Sequence, residues 1–476
     1  MDKQKTNILV IYELPKKQKD NILDNKTEAS FAIFPSMPLM KFGFYDYIHQ
    51  TKNKMEMFET PELKNKDLHK IVNAFEDIVP QEDFIKQTKK DSIKPSDDIN
   101  SFSIKYFKTD RIISRAFYKL WELIMMFDLI PDKKGFISLH IAEAPGSFVQ
   151  SVIYYRDMFF KNKSSTDKYI ATSIDTKNND SKGYVPSFNS NLINNKQFSK
   201  WAYLDSDLTK PNIIKKFITD NSKSKADLIT ADGGFNWKDE NYQEQEAYIL
   251  LLSEIYCALK CQAEGGSFVI KFFEIFTELT VKMIEILKQF YDSVYITKPL
   301  LSRPSNSERY IVCLNFSSSV SEKFIDKIFQ IITEANSDAN NNKYLVEIFP
   351  EYQITTELDM IIKLSSTQMS NEQHKQINIM VSYFNDGNYY GDIYRKYLIN
   401  RREANDFWIS TFYPISNSIN DLKTTRNLLS TILTNDLINV KQSLDDLKSK
   451  LEIIDFDISY DEEPAKITKT KTKTKT

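Results

Sequence analysis

The middle of the chain alternates short apolar runs with longer segments in which apolar residues recur every three or four positions. Short apolar runs bounded by turn residues are typical of buried strands, and the longer periodic segments are typical of helices. Between about residues 105 and 316, this alternation predicts an α/β, Rossmann-like domain with a helix-covered parallel sheet. The predicted strands are 136–141, 169–174, 227–231, 267–272, 293–296 and 309–314, and the predicted helices are 146–160, 242–262 and 277–291.

Weaker patterns flank this domain. Residues 1–100 mix short apolar runs with charged segments and form an N-terminal accessory region, within which the lysine-rich stretch 86–98 is typical of a linker. Residues 101–318 contain the central domain, and residues 319–460 are expected to form a C-terminal accessory domain of mixed α+β and helical structure, helix-rich at its end. The closing Lys-Thr repeat, 461–476, has the low complexity of a disordered tail.

Near the C-terminus, apolar residues at alternating spacings of three and four form a narrow seam on one predicted helix. The seam is shorter than three heptads, so packing on the chain's own C-terminal domain is favoured over self-association or a protein partner. The seam consists of Leu433, Leu437, Val440, Leu444, Leu447 and Leu451.

The net charge of the chain limits how it could bind nucleic acid. The formal net charge of the 476 residues is only −2, so nucleic-acid binding would need a local basic patch. Five basic residues are spaced so that one helix would align them on a single stripe that lacks acidic residues. A solvated helix face is the alternative, but we expect this stripe to contact nucleic acid. Its members are Lys105, Lys108, Arg111, Arg115 and Lys119.

The cysteines and the apolar runs indicate the compartment. Cys257, Cys261 and Cys313 are too few for a disulfide framework, and with four histidines they offer no zinc-finger spacing. We therefore assign no metal. The chain shows neither a signal-peptide pattern nor an apolar run of about 18 residues that would span a bilayer. We expect a soluble intracellular protein without membrane contact, in the cytoplasm or nucleus, or in a virion or viral factory if its source is viral.

A first candidate ligand turn follows the predicted strand 136–141. Glu143, Ala144, Pro145, Gly146 and Ser147 come next, immediately before a predicted helix. Glycine and alanine let a ligand approach the backbone closely, and a helix start presents amide groups toward it. A purely structural turn would have a similar sequence.

Three polar residues stand at the ends of other predicted strands. Asp232 follows the strand 227–231, and ligands of open parallel sheets collect at the carboxyl ends of strands, although Asp232-Gly233-Gly234 is also an ordinary turn sequence. Lys271 ends an apolar strand, where partial burial beside other cations would lower its pKa and make it a base, while extension into solvent is commoner. Glu308 stands at the start of the last strand.

Five motifs in this order resemble the FtsJ/RrmJ-like ribose 2'-O-methyltransferases, most closely the eukaryotic and large-virus branch that methylates messenger RNA caps. The resemblance covers roughly residues 105–316. The motifs are Ser-Arg-Ala-Phe-Tyr-Lys-Leu at 114–120, Leu-His-Ile-Ala-Glu-Ala-Pro-Gly at 139–146, Ala-Asp-Gly-Gly-Phe at 231–235 with Gln-Glu-Ala at 245–247, Gly-Gly-Ser-Phe-Val-Ile-Lys at 265–271, and Lys-Pro at 298–299 with Ser-Arg-Pro at 302–304 and Asn-Ser-Glu-Arg-Tyr at 306–310.

The resemblance implies S-adenosylmethionine as methyl donor, capped messenger RNA as substrate and a catalytic tetrad of Lys119, Asp232, Lys271 and Glu308. His140 and Ser147 depart from the commoner pattern, which has an acid and a second glycine at those positions. Arg303 joins the expected RNA-binding residues, and no metal is implied. The donor-binding residues implied are Ala144, Pro145, Gly146, Ser147, Phe148, Asp175, Asp207 and Asp232.

The resemblance also implies a mechanism in which Lys271 takes the proton of the ribose hydroxyl. Lys119 would then hold the target nucleotide, and the two carboxylates would orient the lysines. Two alternatives stay open. One is a ribose methyltransferase acting on ribosomal or transfer RNA, which the long flanking regions disfavour, and the other is a catalytically idle RNA-binding subunit, which the intact tetrad disfavours.

Overall fold

The computed structural model describes residues 10–17, 22, 28–58, 68–76, 112–174, 187–201, 206–234, 239–317, 322–386 and 391–457. The strands of this part of the chain are β1 (Val10–Glu13), β2 (Ala29–Ala32), β3 (Ile137–Ile141), β4 (Lys168–Thr172), β5 (Phe198–Trp201), β6 (Ala226–Ala231), β7 (Gln262–Phe272), β8 (Tyr291–Lys298), β9 (Arg309–Phe316) and β10 (Tyr344–Ile348).

The helices precede, connect and follow these strands. They are α1 (Phe42–Asn53), α2 (Leu68–Val72), α3 (Ala116–Phe127), α4 (Ser147–Phe159), α5 (Lys161–Ser164), α6 (Ser190–Ile193), α7 (Pro211–Asn221), α8 (Gln243–Glu246), α9 (Tyr248–Cys261), α10 (Glu278–Phe290), α11 (Glu322–Ala335), α12 (Thr356–Asp386), α13 (Gly391–Phe412) and α14 (Ile419–Asp457).

Eight strands form one sheet in the order β1, β8, β9, β7, β6, β3, β4, β5. Strands β3 to β7 run parallel, whereas β9 lies antiparallel between β7 and β8, and β1 lies antiparallel to β8. The chain order reverses between β3 and β6, which is the place where open α/β sheets bind ligands. The predicted α/β, Rossmann-like fold is confirmed.

The central strands are buried on both faces, which explains their continuous apolar sequences. Ile229 and Ile270 pack into one hydrophobic cluster, whereas Leu228 and Val269, their neighbours along the chain, pack into the cluster on the other face. This alternation follows from the two-residue period of a strand. The sheet therefore lies between two hydrophobic cores, and packing on both faces holds its strands in place.

The accessory regions belong to the same body as the sheet. Strand β1 of the N-terminal region extends the sheet at β8, and β2 pairs with β10 from beyond the central domain. Helix α14 packs its apolar seam inward, since Leu433 and Leu437 contact one core cluster and Val440 and Leu444 contact the other. Along these four residues the seam faces the chain's own core, the arrangement favoured in the sequence analysis.

The predicted basic stripe differs from the structure. Helix α3 begins at Ala116 with Arg115 as its N-cap, and residues 112–114 are not helical. A single helix carrying all five basic residues is therefore wrong. Lys105, Lys108 and Arg111 lie outside the described residues, as do the 86–98 stretch and the 461–476 tail. Within the described residues, no helix is both long and apolar enough to cross a membrane.

Strand β7 is longer than predicted and begins at Gln262 instead of residue 267. The register between β6 and β7 shifts between Ala226 and Leu228, which accommodates the glycine pair. Gly265 has a φ of +71°, and a Cβ at Gly266 would lie 2.9 Å from the backbone oxygen of Asp227. Gly265 and Gly266 therefore permit an irregular start of the strand.

Candidate active site

Strand register brings three of the candidate catalytic residues, Asp232, Lys271 and Glu308, to one edge of the sheet. Ala231 of β6 pairs with Ile270 of β7, so the next residues, Asp232 and Lys271, stand side by side. Phe272 pairs with Arg309 of the antiparallel β9, so Glu308 reaches the same edge from the opposite direction. The carboxyl ends of two strands and the amino end of a third thus converge.

Lys271 and Asp232 form the sheet-borne pair. Lys271 Nζ lies 3.2 Å from Asp232 Oδ1 and donates a hydrogen bond of 3.1 Å to the Asp232 carbonyl oxygen. Tyr310, which pairs with Lys271 across the sheet, donates its hydroxyl to the same Oδ1 at 3.1 Å. The Lys271 side chain is 13% exposed and that of Asp232 is 20% exposed, so the pair lies at an accessible edge.

Lys119 and Glu308 form the second pair, which we call the loop-borne pair because Glu308 ends the loop between β8 and β9. Lys119 Nζ lies 2.6 Å from Glu308 Oε1, and the Ser302 hydroxyl donates to the same oxygen at 2.7 Å. Lys119 belongs to the first turn of α3, a helix buried along most of its length. Helix and loop thus complete a group of two lysines and two carboxylates.

The charges of this group set the proton state of its members. Burial alone would lower the pKa of Lys271, but the carboxylates of Asp232, Glu308 and Glu254 raise it above the ordinary lysine value. Burial alone would raise the pKa of Glu308, but Lys119, Lys271 and Lys298 hold it well below its usual range. The lowering of the Lys271 pKa considered in the sequence analysis is therefore wrong, because the carboxylates outweigh burial.

The turn after β3 has an unusual backbone geometry and packs tightly against the residues that follow it. The Ala144-Pro145 peptide bond is cis, and Gly146 has a φ of +107°. A Cβ at Gly146 would lie 2.2 Å from the Leu192 Cδ1 atom, so a larger residue would collide there. Ser147, which departs from the commoner glycine, exchanges a 2.7 Å hydrogen bond with Ser114, joining this turn to the segment before α3.

Glu143 changes the expected role of the helix start. Its Oε1 accepts the amide N–H of Phe148 at 2.7 Å and that of Val149 at 3.2 Å, so these amides are not free for a ligand. Burial and the nearby Asp232 charge raise the pKa of Glu143 well above the usual range. The Phe148 and Val149 amides are therefore engaged within the protein, and the Phe148 side chain is buried in the core.

Two further features at the carboxyl ends of β4 and β5 suit a polar ligand. The Thr172 hydroxyl is buried, and no described residue offers it a hydrogen bond. Asp207 Oδ1 accepts both the amide and the hydroxyl of Thr209 at 3.0 and 2.7 Å, an arrangement that caps the turn before α7. Asp175 lies outside the described residues.

Comparison with known proteins identifies a family for the part of the chain that carries these residues. A family model described as FtsJ-like methyltransferase matches residues 112–316, the span that carries both lysine–carboxylate pairs and the β3 turn. Residues 112–316 form an FtsJ-like methyltransferase domain.

Curated relatives match parts of this chain. A cap-specific mRNA (nucleoside-2'-O-)-methyltransferase 2 of Pongo abelii is 29% identical over 296 residues, 57% of this chain and 37% of that protein. A cap-specific mRNA (nucleoside-2'-O-)-methyltransferase 1 of Mus musculus is 41% identical over 114 residues, 23% of this chain and 14% of that protein. An uncharacterised protein of Acanthamoeba polyphaga mimivirus is 27% identical over 47% of this chain and 28% of its own.

The chain spans about a third of the length of the first two relatives that it matches, 37% in each case. Among solved structures, a putative ribosomal RNA methyltransferase from Plasmodium falciparum is 24% identical and covers 43% of this chain and 97% of its own, with a TM-score of 0.30.

The loop of the FtsJ-like domain that carries Glu308 is held by residues that sequence reasoning missed. Glu122 is fully buried one turn after Lys119 and accepts the amides of Leu300 and Leu301 at 2.7 and 3.2 Å. Trp408 of α13 donates its indole N–H to the same carboxylate at 3.0 Å. Burial raises the pKa of Glu122 to about 7. An acid inside an otherwise apolar helix was the available signal.

Lys298 clamps the other end of this loop. Its Nζ donates to the carbonyl and side-chain oxygens of Asn306 at 3.0 and 2.7 Å and to the Glu308 carbonyl at 2.6 Å. Burial, together with the Arg309 and Lys119 charges, lowers the pKa of Lys298 to about 7, although the Glu308 carboxylate opposes this shift. The three acceptors match the three N–H donors of the ammonium form. The charged form of Lys298 therefore holds the loop in place through these three hydrogen bonds.

Glu254 of α9 lies directly behind the Asp232-Gly233 turn. A Cβ at Gly233 would stand 2.3 Å from Glu254 Oε1, which explains the small residue at that position. Burial raises the pKa of Glu254 to about 8, and the Lys271 charge opposes this shift. In the described part of the chain, no three histidine, cysteine, aspartate or glutamate side chains are grouped so that they could hold a metal ion.

Proposed function

We propose that the chain transfers a methyl group from S-adenosylmethionine to the ribose 2'-hydroxyl of a cap-proximal nucleotide of messenger RNA. The observation that carries the proposal is the meeting of the Lys119–Glu308 and Lys271–Asp232 pairs at the sheet edge that also bears the β3 turn. The activity for which the cap-specific relatives are named supports the choice of substrate.

The methyl donor is proposed to lie across the carboxyl ends of β3, β4 and β6. S-adenosylmethionine supplies a methyl group already activated by a positively charged sulfonium. The backbone at 144–147 is proposed to contact the donor, and the buried Thr172 hydroxyl is a donor in need of an acceptor. We assign the ribose end to Asp175 and the adenine end to the loop of Asp207, while Asp232 faces the reacting end.

Lys271 is proposed as the base. Its amine must first lose a proton to solvent, because the surrounding carboxylates keep it as an ammonium ion in the free protein. The neutral amine then takes the 2'-hydroxyl proton while that oxygen forms a bond to the methyl carbon and the carbon–sulfur bond breaks. Charge balances: the positive charge lost at sulfur reappears on the Lys271 ammonium group.

The other three residues align this step and stabilise its charges. Asp232 holds the Lys271 amine from one side and has its own orientation fixed by the Tyr310 hydroxyl. Glu308 keeps Lys119 at 2.6 Å, and Lys119 stabilises negative charge that develops on the ribose oxygen. Alignment of two reactants in one site removes a large part of the barrier, commonly about 7 kcal/mol or more.

The experiment is a methyl-transfer assay on three matched RNAs of one sequence, carrying a methylated cap, an unmethylated cap or a 5'-triphosphate. The full chain is incubated with each RNA, and the methylated nucleotide is located by mass mapping after nuclease digestion. We expect a single 2'-O-methyl group near the cap and little transfer to the triphosphate RNA. Transfer that ignores the cap, or that prefers folded ribosomal or transfer RNA, would contradict the cap assignment, and no transfer to any RNA would contradict the enzyme assignment.

A further inference from the structure

One carboxylate from the N-terminal region sits between two arginines of the FtsJ-like domain. Arg303 donates its Nη2 to Glu76 Oε1 at 2.6 Å and its Nε to the same oxygen at 3.2 Å. Arg115 donates its Nη1 to the other oxygen, Oε2. Glu76 thus receives the planar fork of one guanidinium and an end of another, as a phosphate group would.

The two arginines come from the segments that carry the loop-borne pair. Arg115 is the N-cap of α3, one turn before Lys119, and Arg303 lies in the loop that ends at Glu308. Both were expected to contact RNA from the sequence. A phosphate held by them would therefore lie beside the nucleotide whose ribose faces Lys119.

The arginines keep accessible surface, whereas Glu76 does not. Their side chains are 21% and 30% exposed, and the Glu76 side chain is 3% exposed. Burial would raise the pKa of Glu76, but the two arginines and Asn73 lower it to about 2, so the group stays negative at physiological pH. Two positive charges face one negative charge, which leaves the cluster attractive to an anion.

A short folded segment presents Glu76 to the arginines. The Asn73 side-chain amide donates to Glu76 Oε2 at 2.9 Å, and the Phe75 amide donates to Asn73 Oδ1 at 3.1 Å. Ile71 of α2 packs with Met380 and Tyr383 of α12, which attaches the segment to the C-terminal region. The carboxylate is therefore held at high local concentration next to the guanidinium groups.

We propose that Arg115 and Arg303 form a phosphodiester-binding site for the RNA strand and that Glu76 occupies this site as an internal competitor until RNA displaces it. The proposal deepens the function proposed above and rests on it for the identity of the polyanion. It predicts that the N-terminal region weakens RNA binding at this site in the free protein.

The test compares RNA affinity of full-length variants by fluorescence anisotropy with a short labelled capped RNA and no methyl donor present. Glu76→Gln keeps the shape of the side chain and removes its charge, and Glu334→Gln, at an exposed position of α11, controls for the loss of one negative charge. We expect Glu76→Gln to bind about tenfold more tightly, since the charge-assisted hydrogen bonds that compete with the RNA phosphate are weakened, and Glu334→Gln to change affinity by less than about twofold.

Two further variants separate competition from a supporting role. Arg303→Ala should weaken binding and reduce the salt dependence by about one phosphate contact, and adding Glu76→Gln to it should give a smaller gain than in the parent protein. Glu76→Asp keeps the charge but shortens the reach, so it should give an intermediate gain if Glu76→Gln proves unstable. Weaker or unchanged RNA binding by folded Glu76→Gln or Glu76→Asp would overturn the proposal.

Failure of this inference is distinguishable from failure of the proposed function. If capped RNA is methylated while Glu76→Gln leaves RNA affinity unchanged, the competitor role is wrong and the proposed function stands. If Glu76→Gln tightens RNA binding but no RNA is methylated, the phosphate site stands and the proposed function is wrong.

Discussion

The two lysine–carboxylate pairs of the site are built in different ways. Lys271 and Asp232 end neighbouring strands, are fixed by sheet register and keep a separation of 3.2 Å. Lys119 and Glu308 come from a helix and a loop, meet at 2.6 Å, and depend on supports from distant parts of the chain. The first pair follows from the fold of the sheet, whereas the second requires the accessory regions.

This difference suggests that the two pairs have different roles in the reaction. The sheet-borne amine has the longer separation from its partner and must exchange a proton, which a rigid but less tightly bound group can do. The loop-borne pair is shorter and additionally held by Ser302, which suits a group that positions the nucleotide without changing its proton state. Variants that act on one pair and spare the other test this view.

The largest effect is expected from Glu308→Gln, which removes the carboxylate of the loop-borne pair. Lys119 then loses its ion-pair partner, and Lys271 loses one of the charges that raise its pKa. We expect the single-turnover rate of methyl transfer to fall by about 10²-fold to 10⁴-fold, the usual range for a residue that aligns acid–base chemistry. Quenched-flow assays with saturating donor and RNA measure this rate.

Donor affinity provides the control for Glu308→Gln. S-adenosylmethionine binding should stay within about threefold of the parent value, because Glu308 does not belong to the β3 turn. A rate within a factor of about three of the parent would contradict the role of this pair.

A smaller effect, on stability, is expected from Glu122→Ala. The change leaves the amides of Leu300 and Leu301 and the Trp408 indole without their buried acceptor. We expect a loss of about 3 kcal/mol in the free energy of unfolding, measured by urea denaturation, since each unsatisfied buried donor costs about 1 kcal/mol or more. Glu334→Ala at an exposed position should change stability by less than about 0.5 kcal/mol, and equal losses in the two variants would show that Glu122 is not a support.

The pH dependence of the rate should separate the two pairs further. Because carboxylates hold the Lys271 pKa above its ordinary value, the active neutral form grows as the pH rises. The single-turnover rate should increase about tenfold per pH unit on the acid side of that pKa. In Glu308→Gln the profile should shift to lower pH and level off at lower pH, since one of the charges that raise the Lys271 pKa is absent. A rate that is flat from pH 6 to pH 9 would remove Lys271 from the base role.

No effect is expected from metal removal. The donor methyl group is already activated by its sulfonium charge, so the step needs no Lewis acid. Transfer in excess chelator should equal transfer in its absence, measured on the same capped RNA after dialysis of the protein. A loss of activity that is restored by a divalent cation would require a different mechanism.

The sheet could be predicted from sequence because its signals are local. The apolar run at 268–270 predicted a central strand, and the ends of the motifs placed Asp232, Lys271 and Glu308 near one edge of the sheet. Since all six predicted strands belong to one parallel-rich sheet, convergence followed from the general geometry of α/β folds. Exact strand ends could not be predicted, as the irregular start of β7 demonstrates.

The long-range contacts around the loop-borne pair could not be predicted for the opposite reason. The Glu76, Glu122 and Trp408 contacts join residues separated by 227, 178 and 286 positions, and no local periodicity records such distances. The pKa direction of Lys271 also depends on this geometry, because the sum of burial and three carboxylates decides its sign. These contacts and the direction of the Lys271 pKa shift depend on long-range packing, which local sequence patterns do not predict.

The most direct measurement is a comparison of Lys271→Ala with the parent protein for two quantities, methyl transfer to a short capped RNA and S-adenosylmethionine affinity by calorimetry. If the Lys271 amine accepts the ribose proton, transfer should fall by at least about 10²-fold while donor affinity stays within about threefold. Retained turnover by Lys271→Ala, with the same nucleotide methylated, would contradict the central claim.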